Sequence, residues 1–360
     1  MRCTDNNSGR YGYTEREWAR IQAREKAEQK KQRKLIAAAV ILFVVAAVMT
    51  FAVYYYVIRS RDYDLTQIYN KSDPVLGVGT TVNTGNTAPS FAEDLCVADG
   101  DINVQSLATD AYSAGLFDLN GERTLYAKDI FTKRSPASIT KIMTALVTLK
   151  YGNLEDIVTV TPIVRDIEVG SSVCDIHEGD ILTLEQLLYG MMIASGNDAS
   201  MMIAEHISGS VDAFVELMNQ EAQAIGATNT HFTNPHGLTD PDHYTTVYDI
   251  YLMLDAALEY DLFQDIISRH NYYAEYSRTD GSSVAVTWES TNHYFTNQAE
   301  APEGVVISGG KTGTTEDAGA CLALYVKDMY GNPYISVILH AGTKDTLYPE
   351  MTELLSLINA

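Results

Sequence analysis

Cysteine is scarce in this chain, and the little there is forms no ligand pattern. Cys3, Cys96, Cys174 and Cys321 include no CxxC pair and no Cys/His spacing of the kind a metal site needs, so neither a metal nor any other cofactor is called for. Basic residues are scarce beyond residue 61. The first 61 residues carry 12 Lys+Arg against 5 Asp+Glu, whereas the rest carry 13 against 42. A body this acidic repels phosphate, which argues against nucleic acid as a partner. Internal repeats are missing as well. What is there, 46% hydrophobic and 20% charged residues in 360, suits a globular chain that buries a real core.

Charge is wholly absent from Leu35 to Ile58. A helix of that length rises roughly 36 Å, enough for the ~30 Å hydrocarbon core of a bilayer. A cleavable signal peptide would be shorter and end in small residues. Here Tyr54, Tyr55 and Tyr56 stand at the far end like an interfacial belt, followed by Arg59 and Arg61. The expectation is an uncleaved transmembrane helix. Lys26, Lys30, Lys31, Arg33 and Lys34 precede it, so the positive-inside rule leaves the N-terminus cytoplasmic and the acidic body outside, with the cell membrane as the location. Residues 1–34 then form a cytoplasmic arm, 35–58 the anchor, 59–100 an extracytoplasmic linker rich in Gly, Thr and Asn near 78–89, and 101–360 the main domain. Cys96, Cys174 and Cys321 allow one disulfide with no argument to select the pair; three buried thiols is the preferred reading.

Within the body, Tyr112 to Leu119 and Arg123 to Lys128 flank Asn120-Gly121 and read as a β-hairpin. Ser138 to Lys150 reads as a helix, as do Leu184 to Ser208 and Val211 to Ile225, broken at Gly196 and Gly209. Strand-like runs follow at Val305 to Gly309, Cys321 to Val326 and Tyr334 to His340, with a closing helix from about Pro349 to Ile358. Strands at both ends around a helical middle imply an α+β fold, with one sheet built from distant segments and an inserted helical region.

Three short patterns carry chemistry. Ser138-Ile-Thr-Lys141 puts a hydroxyl and an amine one helical turn apart, so that a neutral lysine could take the serine proton. Ser195-Gly-Asn197 interrupts an apolar stretch with polar groups that need partners. Lys311-Thr-Gly-Thr314 offers a cation and two hydroxyls at a strand edge, with Gly313 permitting close backbone approach, a combination suited to a carboxylate. Each alone is weak. Ser138 could simply cap a helix, Ser195-Gly-Asn197 could be a kink, and Lys311 could sit on a surface turn. Ser308-Gly-Gly-Lys311 and Ser290-Thr-Asn292 match the first two patterns just as well.

Taken together and in order, S-x-x-K, S-x-N and K-T-G resemble the low-molecular-mass penicillin-binding proteins. These are D-alanyl-D-alanine carboxypeptidases of the serine β-lactamase-like superfamily. The flanks S-P-A-S-I-T-K-I-M-T-A-L and L-L-Y-G-M-M-I-A-S-G-N-D-A-S match, as do Asn234-Pro-His-Gly-Leu238 and the segment from Tyr244 to Asp249. The resemblance runs from about Ile102 to Ala360 and implies a β-lactamase/D,D-peptidase-like fold, an antiparallel sheet flanked by helices. It implies Ser138 as nucleophile, Lys141 as base and Ser195 as proton relay. Asn197, Lys311, Thr312, Gly313 and Thr314 would bind substrate, and the Ser138 and Thr314 N–H groups would form the oxyanion hole. The implied substrate is the terminal D-alanine of peptidoglycan stem peptides, with β-lactams as covalent inhibitors.

The chain departs from the family in three ways. Many relatives carry a second β-domain and an amphipathic C-terminal helix, whereas this chain ends at Ala360, and its N-terminal helix is expected to do the anchoring. Leu347 stands where the family commonly places a carboxylate-binding arginine, with Lys344 the nearest cation. The acidic surface is unusual for an enzyme acting on a polymer that itself bears carboxylates. Rival readings are a β-lactamase, a penicillin-binding sensor that does not turn over, and an inactive wall-binding scaffold. The first should show the E-x-x-L-N glutamate of class A enzymes, and that motif is absent between Lys141 and Lys311.

Overall fold

The computed structural model describes residues 95–359 apart from 104, 106, 108 and 109, together with positions 30 and 49. The chain divides into two compact units, residues 1–86 and 87–360, and all the elements below belong to the second. The expected transmembrane helix at 35–58, the arm before it and most of the linker lie outside the described residues. Among those described, no helix is long and apolar enough to cross a membrane.

Five antiparallel strands form the main sheet, in the order β2-β1-β9-β8-β7. They are β1 (Ser113–Asp118), β2 (Arg123–Lys128), β7 (Val305–Thr315), β8 (Gly319–Asp328) and β9 (Pro333–Ala341). The β8 and β9 runs are long and apolar because both faces of the sheet are covered there. Ala323, Tyr325, Ile335 and Val337 face the helical core, while Leu322, Leu324, Val326 and Ile338 face a second cluster under the closing helix. Side chains alternate between faces along a strand, so apolar residues at every position are what two covered faces require.

The hairpin forms as the sequence suggests, although its turn is not a two-residue Asn-Gly loop. Residues 119–122 separate the strands, Glu122 takes φ +50°, and Gly121 N–H donates to Asp118 Oδ1 at 2.8 Å. Asp118 also pairs with Arg123 at 2.7 Å. A side-chain lock at the strand ends therefore sets the register here.

The helical part comprises α1 (Lys141–Tyr151), α2 (Leu184–Ile193), α3 (Asn197–Ser208), α4 (Val211–Ala224), α5 (Val247–Leu258) and α6 (Asp261–Ser268). Helix α1 is the central one: every residue from Lys141 to Thr148 is buried. A Thr183/Gln186 capping box starts α2, and Gly209 at φ +76° ends α3. Closing helix α7 (Lys344–Ser356) begins five residues before Pro349. Thr343 caps it reciprocally with Thr346, satisfying the first turn before the proline is reached.

A second sheet was not foreseen. It orders β3 (Ile157–Thr159), β4 (Asp180–Thr183), β5 (Asn271–Arg278) and β6 (Ser283–Glu289) as β3-β4-β5-β6. The expectation of one sheet fails because β3 and β4 are very short, and because β5 and β6 keep an exposed, polar face that breaks up the apolar signal. Cys96, Cys174 and Cys321 are free and buried.

Candidate active site

Ser138 lies in a 3₁₀ turn, Ala137–Thr140, that runs straight into α1 at Lys141. The residue before it, Ala137, is fully buried with φ +47°, an unusual conformation for a non-glycine residue. No side chain caps this turn, so Ser138 is not spent as a helix cap. Its hydroxyl instead meets Lys141 Nζ at 2.9 Å.

Lys141 is 0% exposed, and its nitrogen has two further neighbours, Asn197 Oδ1 at 2.7 Å and the His236 carbonyl at 2.9 Å. Both of those oxygens can only accept. A neutral amine has two N–H groups and one lone pair. Once the two N–H groups go to Asn197 and His236, the lone pair is left facing the Ser138 hydroxyl. Burial first, and then the charge of Lys311, hold the Lys141 ammonium well below the ordinary lysine range.

Ser195 occupies the break between α2 and α3 at φ +60°, again a strained position for a non-glycine residue. It accepts a hydrogen bond from Lys311 Nζ at 2.9 Å, and Lys311 also donates to the Thr312 carbonyl at 3.0 Å. Burial, followed by the charge of Lys344, pushes Lys311 down to about 7. Asn197 opens α3, and its backbone N–H donates to the Ser172 carbonyl at 2.9 Å.

Strand β7 supplies the third wall. The sequence suggests that this strand ends near Gly309, yet it continues to Thr315 and carries Lys311, Thr312, Gly313 and Thr314 along the edge of the sheet. A Cβ on Gly313 would lie 2.9 Å from the Pro136 carbonyl and 3.0 Å from Ser138 N, so glycine is what lets the strand reach the Ser138 turn. Thr314 is exposed, and Thr312 shares a 2.5 Å contact between its hydroxyl and that of Thr291. Ser308-Gly-Gly-Lys311 lies wholly within this strand and presents no helical hydroxyl–amine pair.

Thus two hydrogen-bonded sets, Ser138–Lys141–Asn197 and Ser195–Lys311, lie near enough for the Lys311 charge to act on Lys141, with Gly313 in contact range of the Ser138 turn. Leu347 does not join them. It is 2% exposed and packs in α7 with Met351 and Leu354. Lys344 is exposed at the start of that helix.

Two supports escaped sequence reasoning. The His236 carbonyl contributes main-chain chemistry that no side-chain pattern announces. Asp198 accepts from the N–H groups of Cys174 at 2.8 Å, Ala199 at 2.9 Å and Ile176 at 3.2 Å, pinning the 172–176 loop under the second motif. A Cβ on Gly196 would sit 2.1 Å from the Cys174 sulfur, so that buried thiol fills the space beneath the turn.

A serine hydroxyl facing a desolvated lysine, where the sheet edge meets the helical region, is the arrangement of a serine hydrolase working by acyl transfer. Its family is shown directly: residues 101–343 match the D-alanyl-D-alanine carboxypeptidase family, and the chain belongs to it. D-alanyl-D-alanine carboxypeptidase DacF of Bacillus subtilis is 32% identical over 280 residues, 77% of this chain and 69% of that protein. DacA of Escherichia coli is 29% identical over 257 residues, covering 68% of this chain and 59% of that protein. The chain therefore spans less than two thirds of the latter's length. Among solved structures, a Streptomyces DD-transpeptidase matches with TM-score 0.65 and 28% identity, covering 70% of this chain and 97% of its own. D-alanyl-D-alanine carboxypeptidase DacD of Francisella tularensis matches with TM-score 0.61 and 25% identity over 74% of each.

Proposed function

We propose that the chain is a serine D,D-carboxypeptidase that removes the terminal D-alanine of peptidoglycan stem pentapeptides through an acyl-enzyme on Ser138. The observation that carries this reading is the Lys141 amine, whose two acceptor-only neighbours leave its lone pair to the Ser138 hydroxyl. Ser138 Oγ attacks the carbonyl carbon of the penultimate D-alanine as Lys141 takes its proton. The N–H groups of Ser138 and Thr314 receive the developing oxyanion. The C–N bond then breaks, and the leaving D-alanine amine gains a proton relayed through Ser195 from the lysine pair. Asn197 keeps Lys141 in place, while Lys311, Thr312 and Thr314 hold the substrate carboxylate beside Gly313. Water cleaves the ester and restores Ser138. β-Lactams present a similar amide to the same hydroxyl and acylate it.

The domain at 101–360 works outside the cell membrane, held by a single-pass helix at 35–58 with residues 1–34 cytoplasmic and 59–100 as linker. The uncharged 24-residue run and the basic residues before it support this placement. The direct test is release of free D-alanine from diacetyl-Lys-D-Ala-D-Ala, compared with a Ser138→Ala variant. Release by the parent and none by the variant is expected; no release by the parent rejects the assignment.

A further inference from the structure

Behind the nucleophile turn lies a second, wholly buried polar chain that the reaction above does not use. Thr140 is 1% exposed and His243 is 2% exposed. Thr140 Oγ1 lies 2.8 Å from His243 Nε2 and 2.8 Å from the Ala137 carbonyl. On the far side of the ring, His243 Nδ1 accepts the Thr233 backbone N–H at 3.1 Å.

The Thr233 hydroxyl lies 3.3 Å from the same nitrogen and can donate to it as well, while the backbone N–H can only donate. A nitrogen that accepts an N–H carries none of its own, so the single ring proton of a neutral His243 sits on Nε2. Nε2–H donates to the Thr140 oxygen, and the Thr140 hydroxyl has only the Ala137 carbonyl left to donate to. Burial pushes His243 down to about 4, which keeps the ring in this singly protonated form at neutral pH. Gly237, at φ +89°, closes over the same carbonyl; a Cβ there would lie 1.9 Å from the Ala137 oxygen.

The peptide plane explains why this carbonyl matters. In a trans peptide the C=O of one residue and the N–H of the next point in opposite directions, and the plane is stiff. Holding the Ala137 oxygen toward Thr140 therefore aims the Ser138 N–H the other way, toward strand β7, where Gly313 comes within reach of Ser138 N. Ala137 needs such a hold, because its φ of +47° is strained and nothing in its own side chain favours it.

We infer that His243 and Thr140 are positioning residues that set the oxyanion-binding N–H of Ser138 by fixing the Ala137 carbonyl. The inference rests on the reading of Ser138 as nucleophile. It assigns a function to a histidine that touches neither substrate nor the nucleophile.

The test uses the full chain and three variants. Thr140→Val keeps the shape and removes the hydroxyl; Thr140→Ser restores it; His243→Phe removes the ring donor. In D-alanine release from diacetyl-Lys-D-Ala-D-Ala, Thr140→Val is expected to lower kcat about tenfold or more with KM within about threefold, since a small misplacement of a donor acts mainly on the transition state. Thr140→Ser should recover most of that loss. A thionoester analogue, with sulfur replacing the attacked carbonyl oxygen, supplies a readout that mere destabilisation does not move. The parent should favour the oxygen substrate, and Thr140→Val should narrow that preference. The double variant Thr140→Val/His243→Phe should lose no more than the worse single variant, because both act through one carbonyl. The inference is overturned if Thr140→Val keeps kcat within about twofold, or if the oxygen preference is unchanged while only the melting temperature falls. Fully additive losses overturn it too. A parent that releases no D-alanine rejects the proposed activity itself; an active parent with an unaffected Thr140→Val rejects only the positioning chain.

Discussion

Lys311 Nζ stands 2.9 Å from Ser195 Oγ, a contact across 116 positions of sequence that ties the sheet edge to the turn between α2 and α3. A second set of bonds, from Lys141 to Ser138 and Asn197, ties the Ser138 turn to the start of α3. Two amines consequently share one buried site, and neither is ion-paired within the described residues. Most folds avoid burying one unpaired lysine, let alone two, because desolvation disfavours the ammonium. Here the outcome is useful, since the amine nearest the hydroxyl is kept able to accept a proton.

Removing that amine should stop acylation. Lys141→Met is expected to slow covalent labelling of Ser138 by a fluorescent penicillin about 10²- to 10⁴-fold, the usual worth of a positioned general base. Lys141→Arg should fail equally, because a guanidinium does not lose its proton in a protein. Labelling of the arginine variant at the parent's rate would show that charge, and not basicity, is what position 141 supplies.

The buried lysines also leave a signature in stability. Burial and the charge of Lys344 bring Lys311 in the folded chain to about 7, against roughly 10.4 for lysine in an unfolded one. Between those values the unfolded chain holds the additional proton, so this residue's contribution to stability rises as pH rises. The gain in urea midpoint from pH 7 to pH 9.5 should therefore be larger for the parent than for Lys311→Met. Equal gains would mean that Lys311 titrates normally.

Gly237→Ala tests the loop over the Ser138 turn. Its φ of +89° and the 1.9 Å approach to the Ala137 oxygen leave no room for a methyl group. A stability loss of about 1–3 kcal/mol is expected from strain and overpacking. Penicillin labelling measured well below the unfolding transition should slow as well. A variant as stable and as reactive as the parent would rule out that close packing.

Asp198→Asn tests the attachment of the 172–176 loop to the second motif. A carboxylate that accepts from Cys174, Ile176 and Ala199 contributes more than a neutral amide can, and the loss should be about 1.5–3 kcal/mol. Faster hydrogen exchange at the Cys174 and Ile176 amides, with little change in β8, would locate the effect. Uniform exchange changes would argue against a local anchor.

Much of the fold was legible because apolar runs are local. The strands from Val305, Cys321 and Tyr334 and the helices around Leu184 and Val211 each announce themselves by periodicity. The closing helix was displaced by five residues because Pro349 looks like a start, while the capping pair Thr343 and Thr346 in fact provides it. The second sheet stayed hidden because β3 and β6 pair into it from positions over a hundred residues apart, and each buries only one residue fully, Val158 and Trp288. Of the site, the side chains were legible as motifs, whereas the His236 carbonyl and the buried Thr140–His243 pair were not. Main-chain acceptors carry no residue signature, and a histidine in a loop looks the same whether it titrates in solvent or is locked in a core.

By itself the sequence determined which chemical groups this protein possesses, in what order along the chain, and the apolar periodicities that compel their local helices and strands. Only the tertiary structure decided that two distant lysines share one desolvated site, that a lone pair faces the Ser138 hydroxyl, and that Leu347 turns into the core. The reason is physical. Protonation state and hydrogen-bond direction depend on what surrounds a group in space, and chain packing brings those surroundings together from segments that no local pattern connects.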